Sequence, residues 1–256
     1  MPNTNDSTEP LVEFLRLTAF LHADERVTEP TWWSDLTGSQ PEQRTSKPGR
    51  GEFQDAGPIG DTFLSVSLQA GRVDWFLTPG PFEPTLDLVA KINSVGIFPE
   101  KFGAFEDLLN RWLTVSSRMV RLAFGAVVFV PVESKEAGYR KLAEYLPGVK
   151  IDTDGSEDFL YQINRPRKSI NGITGLRMNR LSKWSVAYFQ RFRLGIPVPT
   201  QQVQGKLGDR THACRIELDI STPADASDAL LQDRLVHVFR ELVDFGSEIA
   251  QKGDIA

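Results

Sequence analysis

One stretch of the chain concentrates side chains that could bind a phosphate backbone. Positions 159–208 contain no aspartate or glutamate, although the chain as a whole has a net charge of −5. A local positive field on an otherwise acidic body attracts polyanions. We call positions 159–208 the acid-free segment, and its basic residues are Arg165, Arg167, Lys168, Arg177, Arg180, Lys183, Arg191, Arg193 and Lys206.

The acid-free segment predicts a non-enzymatic module that binds the phosphate backbone of RNA or DNA. Arginine and lysine side chains neutralise phosphates and release counterions. The alternative is that these charges pair with the acidic remainder of the chain or with an acidic partner protein. The residues expected to contact nucleic acid are Arg165, Arg167, Lys168, Arg177, Lys183, Arg191 and Arg193.

Aromatic residues within the acid-free segment could stack on bases, but their spacing argues against it. Positions 183–194 alternate as a strand does, which places Trp184, Tyr188 and Phe192 on the face expected to meet the core. Phe189 is then left with the basic side chains. The pattern therefore predicts phosphate contact without base stacking.

A metal-dependent nuclease is a further alternative. Glu133 and Lys135 directly follow an apolar stretch, as do the metal-binding carboxylate and charge-stabilising lysine of a common nuclease core. That core also needs an acid on a neighbouring strand, and Asp74 is the only candidate donor. The plainer interpretation is that Ser134 caps a helix while its two neighbours are solvated. No other motif indicates a catalytic residue, a bound metal or a cofactor.

Composition indicates an ordinary folded protein. The chain has 256 residues, of which 40% are hydrophobic and 25% charged, enough for one large domain or two small ones. A single cysteine, Cys214, excludes an intramolecular disulfide and a thiolate-rich zinc site, and it is expected to be a packed thiol. The longest apolar run, 122–132, is too short to cross a bilayer, and positions 1–10 read as a disordered polar tail. We expect a cytoplasmic protein with no membrane partner.

Hydrophobic spacing predicts the elements that must position these residues. The first strand, at 11–21, also fits an amphipathic helix, so both remain open. The predicted elements are a strand at 11–21, a helical turn at 32–36, a loop at 40–60 with a short strand near Phe53, a hairpin at 64–77, a helix at 102–113, a strand at 120–132, a helix at 134–146, strands at 159–163 and 183–194, a loop at 196–208, a strand at 214–220 and a helix from about Asp225.

These elements predict an α+β fold built from two similar halves, 11–118 and 119–256. Each half would be an antiparallel sheet with a long helix on one face, and the two sheets would join edge to edge around the 120–132 strand. The halves would share one core. The alternative is that short strings of strands and helices look alike by chance, since no residue-level identity links the halves.

Several short pieces spread over most of the chain resemble a sporadically distributed bacterial family of similar length with no established function. The resemblance implies a fold but no activity, and the family's tyrosine-asparagine pair has no counterpart at 121–132. The pieces are positions 10–13, 73–76, the helix with Phe105 and Trp112, 215–220 and 236–239.

The sporadic distribution of that family suggests a second function, a protein–protein interaction component of a bacterial multigene system such as phage defence. The last helix offers one route to a homodimer. Its stripe of Leu231, Leu235, Val238, Leu242, Phe245 and Ile249 approaches heptad spacing. Packing of this stripe on the chain's own sheet is the default expectation.

Overall fold

The computed structural model of the chain describes residues 9–28, 30–81, 92–194, 205–225 and 229–255. At 191–194, 205–207 and 209 it describes the backbone alone. The strands are β1 (Leu11–Leu21), β2 (Gln43–Lys47), β3 (Glu52–Ile59), β4 (Thr62–Gln69), β5 (Arg72–Pro79), β6 (Gly96–Ile97), β7 (Met119–Val132), β8 (Leu160–Asn164), β9 (Arg167–Lys168), β10 (Arg177–Leu194) and β11 (Gly205–Ser221). The helices are α1 (Trp32–Thr37), α2 (Glu100–Val115), α3 (Lys135–Tyr145) and α4 (Leu235–Lys252), with 3₁₀ turns at Pro48–Arg50 and Gln232–Arg234.

Within the described residues, all of these strands belong to one antiparallel sheet. Its order is β2–β3–β4–β5–β1–β7–β11–β10–β8, with β6 beside β1 and β9 beside β10. The chain is therefore α+β, as predicted. The sheet is continuous across the boundary between 11–118 and 119–256, because β1 pairs with β7 along its whole length. The similarity of the two halves stays a prediction.

The central strand β7 is apolar in both alternating sets of residues because both of its faces are covered. On one face, the ring of Phe124 lies 5.2 Å from Phe102 of α2 and 6.3 Å from Phe239 of α4. On the other face, Val127 and Phe129 belong to a small buried cluster that Phe14 and Phe189 help to cover. The prediction of a strand buried on two faces is confirmed.

Several local predictions are confirmed. Strand β1 replaces the rival helix, since Leu15 and Leu17 alternate into the core. The Ser134 hydroxyl caps α3 by accepting a hydrogen bond from the Ala137 amide at 3.1 Å. The β4–β5 hairpin turns at Ala70 and Gly71, both with positive φ.

The loop predicted at 40–60 is wrong, because β2 and β3 form a hairpin there; the short strand predicted near Phe53 is confirmed as part of β3. Strand β2 is exposed along its whole length at the edge of the sheet, so no apolar alternation reveals it. Strand β3 buries a charge: Asp55 is fully buried and accepts two 2.7 Å hydrogen bonds from the Arg44 guanidinium on β2. The sequence pattern of a polar edge strand does not indicate a strand, so only its pairing with a neighbouring strand identifies it.

The last helix begins ten residues later than predicted. The Leu230 amide donates to the Met119 carbonyl oxygen at 2.7 Å, and the Gln232 side chain donates to the Ser116 carbonyl oxygen at 3.0 Å. These contacts hold the chain outside helical geometry until Leu235. Leu231 is consequently 58% exposed, while the rest of the predicted stripe is buried against the sheet and α2. Within the described residues, no helix combines the length and apolar character that a membrane crossing requires.

Candidate functional site

Half of the acid-free segment lies on β8, β9 and β10, and its first basic residues lie beside the last helix. The Arg165 guanidinium forms two hydrogen bonds to the Asp254 carboxylate, Nε to Oδ1 at 2.5 Å and Nη2 to Oδ2 at 2.7 Å. Only 8% of the Asp254 side chain is exposed. A bidentate ion pair of this kind fixes the orientation of both side chains. Arg165 is therefore neutralised within the chain.

A second carboxylate, which lies on α4, binds two more of these arginines. Glu248 accepts from Arg167 at 2.7 Å and from Arg180 at 3.2 Å. Both guanidinium groups also lie over the ring of Phe245, at 5.4 and 5.3 Å from its centroid. Arg180 is almost fully buried, and that burial lowers its pKa. Neither arginine presents a free cationic group to a phosphate.

A third carboxylate, also on α4, fixes the loop between β9 and β10. Glu241 is buried and accepts from the Ser169 hydroxyl at 2.5 Å, the Ile170 amide at 2.8 Å and the Gly172 amide at 3.0 Å. Burial by itself would raise the pKa of Glu241, but these hydrogen bonds outweigh it and lower the pKa. We call Glu241, Glu248 and Asp254, with the groups that they bind, the C-terminal clamp.

The remaining predicted contact residues are spread along β9 and β10. Lys168 and Arg177 are exposed and face each other in the β9–β10 pair. Lys183 pairs with Glu217 at 2.9 Å. Arg191 and Arg193 lie at the opposite end of β10, where the structure describes their backbone alone. Fourteen positions separate Arg177 from Arg191, a distance of roughly 45 Å along a strand. The predicted set is thus not one surface.

Strands β10 and β11 continue past the strands beside them. Pairing of β8 with β10 ends at Ser185, and pairing of β7 with β11 ends at His212. Beyond these points, 189–194 pairs with 205–211, with an irregularity between Gln190 and Phe192. We call this two-stranded extension the ribbon. It has no third strand among the described residues and is roughly 20 Å long.

The ribbon is strongly basic. By sequence it carries four basic residues and one acidic residue, Asp209. Its register places Arg193 opposite Lys206, and Arg210 opposite Gln190. No ion pair links a described ribbon side chain to a carboxylate within the described residues. The basic residues of the ribbon are Arg191, Arg193, Lys206 and Arg210.

An exposed aromatic residue stands at the root of the ribbon. Tyr188 is 59% exposed, and the Arg210 guanidinium lies over its ring at 4.9 Å from the centroid. The ring of His212, the cross-strand partner of Tyr188, is 6.3 Å away. Phe189 points to the other face and packs edge-on against Phe129 at 4.9 Å.

The expected roles of these two aromatics are therefore exchanged. Alternation correctly puts Tyr188 on the same face as the buried Trp184. However, the cover over that face ends close to Val186, whose methyl groups lie against Gly138 of α3. Beyond this residue Tyr188 on the same face is exposed, whereas Phe189 on the other face is partly buried.

The three nuclease residues are not brought together. Asp74 lies opposite Thr18, which lies opposite Ala123 of β7, ten residues before Glu133. That offset corresponds to roughly 33 Å along the strand. Asp74 instead binds Thr18 and Arg72, and Lys135 binds Glu157 at 3.3 Å. Within the described residues, no group of three or more potential ligands could hold a metal ion.

A cavity of about 710 Å³ lies at the other end of the sheet, beyond the end of β1 and the start of β7. Leu21, Arg26, Arg50 and Leu68 contribute to its lining. Arg26 donates to backbone carbonyl oxygens of the loop that carries it. The cavity and the ribbon lie beyond opposite ends of β7, so they cannot share one small ligand.

Sequence reasoning missed Arg210 and left Lys206 out of the contact set. Arg210 follows Asp209, so a search for acid-free sequence stops just before it. The apolar alternation of β11 begins only at Cys214, so no hydrophobic pattern marks the part of the strand that carries Lys206 and Arg210. Comparison with protein-family models, with curated proteins and with solved structures finds no match to this chain.

Proposed function

We propose that this protein binds nucleic acid through the ribbon. One observation carries the proposal. Two paired strands extend beyond the strands beside them, and this extension has four basic residues but only one acidic residue. A projecting cationic element approaches a polyanion without a clash from the body of the protein. Among the basic residues of the ribbon, Arg210 has a described side chain, and it lies over the Tyr188 ring and forms no ion pair with a described carboxylate.

The C-terminal clamp explains why three arginines of the acid-free segment are not part of this site. Arg165, Arg167 and Arg180 have carboxylate partners on α4 or just after it. A phosphate would have to displace Glu248 or Asp254 and leave a partly buried carboxylate unpaired, which is strongly unfavourable. From the predicted contact set the clamp removes Arg165 and Arg167, the ion pair with Glu217 removes Lys183, and Lys168 and Arg177 lie at the far end of β10. The proposed contact set consists of Arg191, Arg193, Lys206 and Arg210.

The proposal is tested by fluorescence anisotropy with labelled single-stranded and double-stranded oligonucleotides over a range of salt concentrations. We expect binding at low salt with a slope of log K against log[salt] near −3 for a single strand, about −0.7 for each of four contacts. Replacing Arg191 and Arg193 by glutamine should weaken binding and make the slope shallower by about 1.4.

The matched control replaces Lys168 and Arg177 by glutamine. This pair removes the same charge from the same acid-free segment, but from exposed positions at the far end of β10. Its affinity and salt slope should equal those of the unaltered protein. Equal weakening by both pairs would mean that net charge alone drives binding and would contradict a ribbon site.

A protein partner is the rival explanation of the ribbon. Its outer strand edges carry backbone groups without a sheet partner among the described residues, and such edges can pair with another chain. Absence of oligonucleotide binding at low salt, together with a co-purifying protein lost when Arg191 and Arg193 are replaced, would favour this rival. The proposal would then be withdrawn.

A further inference from the structure

Tyr188 is unusual among the aromatic side chains of the structure because it is placed on a structured strand and yet 59% exposed. Strand β8 ends opposite Ser185, so no described strand flanks Tyr188 on the side away from β11. Arg210 covers the ring from the β11 side, at 4.9 Å. A cation therefore lies over the ring, and more than half of the tyrosine remains exposed.

This arrangement matches the chemistry of base stacking. A guanidinium over a tyrosine ring holds the ring in one orientation and keeps a positive charge beside it. Aromatic side chains in single-strand binding sites stack on bases, and cations beside them attract the backbone phosphates. Inside a duplex the base faces already stack on their neighbours, so away from the duplex ends an unpaired base is needed to stack on Tyr188.

We propose that Tyr188 and Arg210 form a stacking platform for one unpaired base of a single-stranded nucleic acid. This inference rests on the proposed function of the ribbon, whose basic residues begin two to three positions further along. It reverses the prediction of phosphate contact without stacking. The ligand class is single-stranded RNA or DNA, bound in preference to the duplex of the same sequence.

The first test compares Tyr188→Ala and Tyr188→Phe with the unaltered protein. Tyr188→Ala should weaken binding of a single strand by about 5-fold to 100-fold, whereas Tyr188→Phe keeps the ring and should stay within about 2-fold. The salt slope should be the same for all three, because no phosphate contact is removed. Leu160→Ala, a truncation at a similarly exposed residue that pairs with Ser185, serves as the matched control.

The second test changes the ligand and leaves the protein intact. An oligonucleotide with abasic sites along its length keeps its phosphates but offers nothing to stack. The unaltered protein should bind it as weakly as Tyr188→Ala binds the normal strand, and Tyr188→Ala should not discriminate between the two strands.

The outcomes separate the two proposals. Failure of the unaltered protein to bind any oligonucleotide at low salt overturns both. Binding that Tyr188→Ala leaves unchanged, or that is equally tight to abasic, single-stranded and duplex ligands, overturns the stacking platform and keeps the ribbon. A shallower salt slope in Tyr188→Ala would also overturn it, because the tyrosine would then act through the placement of charge.

Discussion

Removing the Glu241 carboxylate is expected to be among the most damaging single changes on α4. Glu241→Ala leaves three donors without an acceptor: the Ser169 hydroxyl and the amides of Ile170 and Gly172, all within 3.0 Å of the carboxylate. Each unsatisfied buried donor costs about 1–3 kcal/mol, and partial entry of water limits the total. We expect the free energy of unfolding to fall by about 3–5 kcal/mol for alanine. Glu241→Gln, which keeps one acceptor oxygen, should lose about 2 kcal/mol.

The effect of Glu241 should depend on pH in one direction. Because its pKa is lower in the folded chain than in the unfolded chain, its ionised form stabilises the fold. That stabilisation is complete above the unfolded pKa and is lost as the pH falls through the folded pKa. The difference between the unaltered protein and Glu241→Gln should therefore be constant near neutral pH and shrink below the ordinary carboxylate range.

Urea unfolding followed by tryptophan fluorescence measures these differences, provided that the slope of the transition is unchanged. Asp244→Asn is the matched control on the same helix. Partial burial and the neighbouring Glu106 raise the pKa of Asp244, so loss of its charge should leave stability unchanged or slightly higher at pH 7. A Glu241→Ala variant within about 1 kcal/mol of the unaltered protein would refute the clamp, as would a Glu241→Gln deficit that grows on acidification.

Two further predictions concern packing. Gly138→Ala should destabilise the fold by about 1–3 kcal/mol, since the new Cβ would lie 2.9 Å from both methyl groups of Val186. Gly103→Ala, where nothing lies within 4 Å, should gain up to about 1 kcal/mol from helix propensity; urea midpoints that move in the same direction for both would contradict this contrast. Burial raises the pKa of the Cys214 thiol to about 12, so iodoacetamide at pH 8 should label one thiol per chain in urea and almost none in the native protein. Rapid native labelling would show that β11 opens.

Local pattern predicted those elements whose side chains meet the core at regular intervals. Strands β1, β4, β5, β7 and β11 and helix α2 follow from apolar spacing, because burial of one face imposes that spacing on the sequence. Strand β2 was not predicted, because every one of its side chains is exposed. The late start of α4 was not predicted from the sequence, because hydrogen bonds to the distant backbone groups of Met119 and Ser116 determine it.

The candidate site also combines features that the sequence predicted with features that depend on the tertiary structure. The sequence identified a stretch without acids, but it could not say which of its cations were already paired. Asp254 stands 89 positions after Arg165, and Glu248 stands 81 positions after Arg167. Tyr188 was assigned to the correct face of its strand and yet to the wrong environment, since the extent of the helix layer over a strand is not encoded in the strand.

Chain composition and hydrophobic period by themselves determined an α+β protein with one concentrated positive stretch, because both depend on residues close together in the sequence. The tertiary structure decided which of those charges are paired within the chain. It folds the helix that carries Glu241 and Glu248 against one end of β10 and extends the other end, paired with β11, beyond the strands beside it. Ion pairs form between groups that are near in space, and that proximity arises only when the sheet brings the two ends of the chain together.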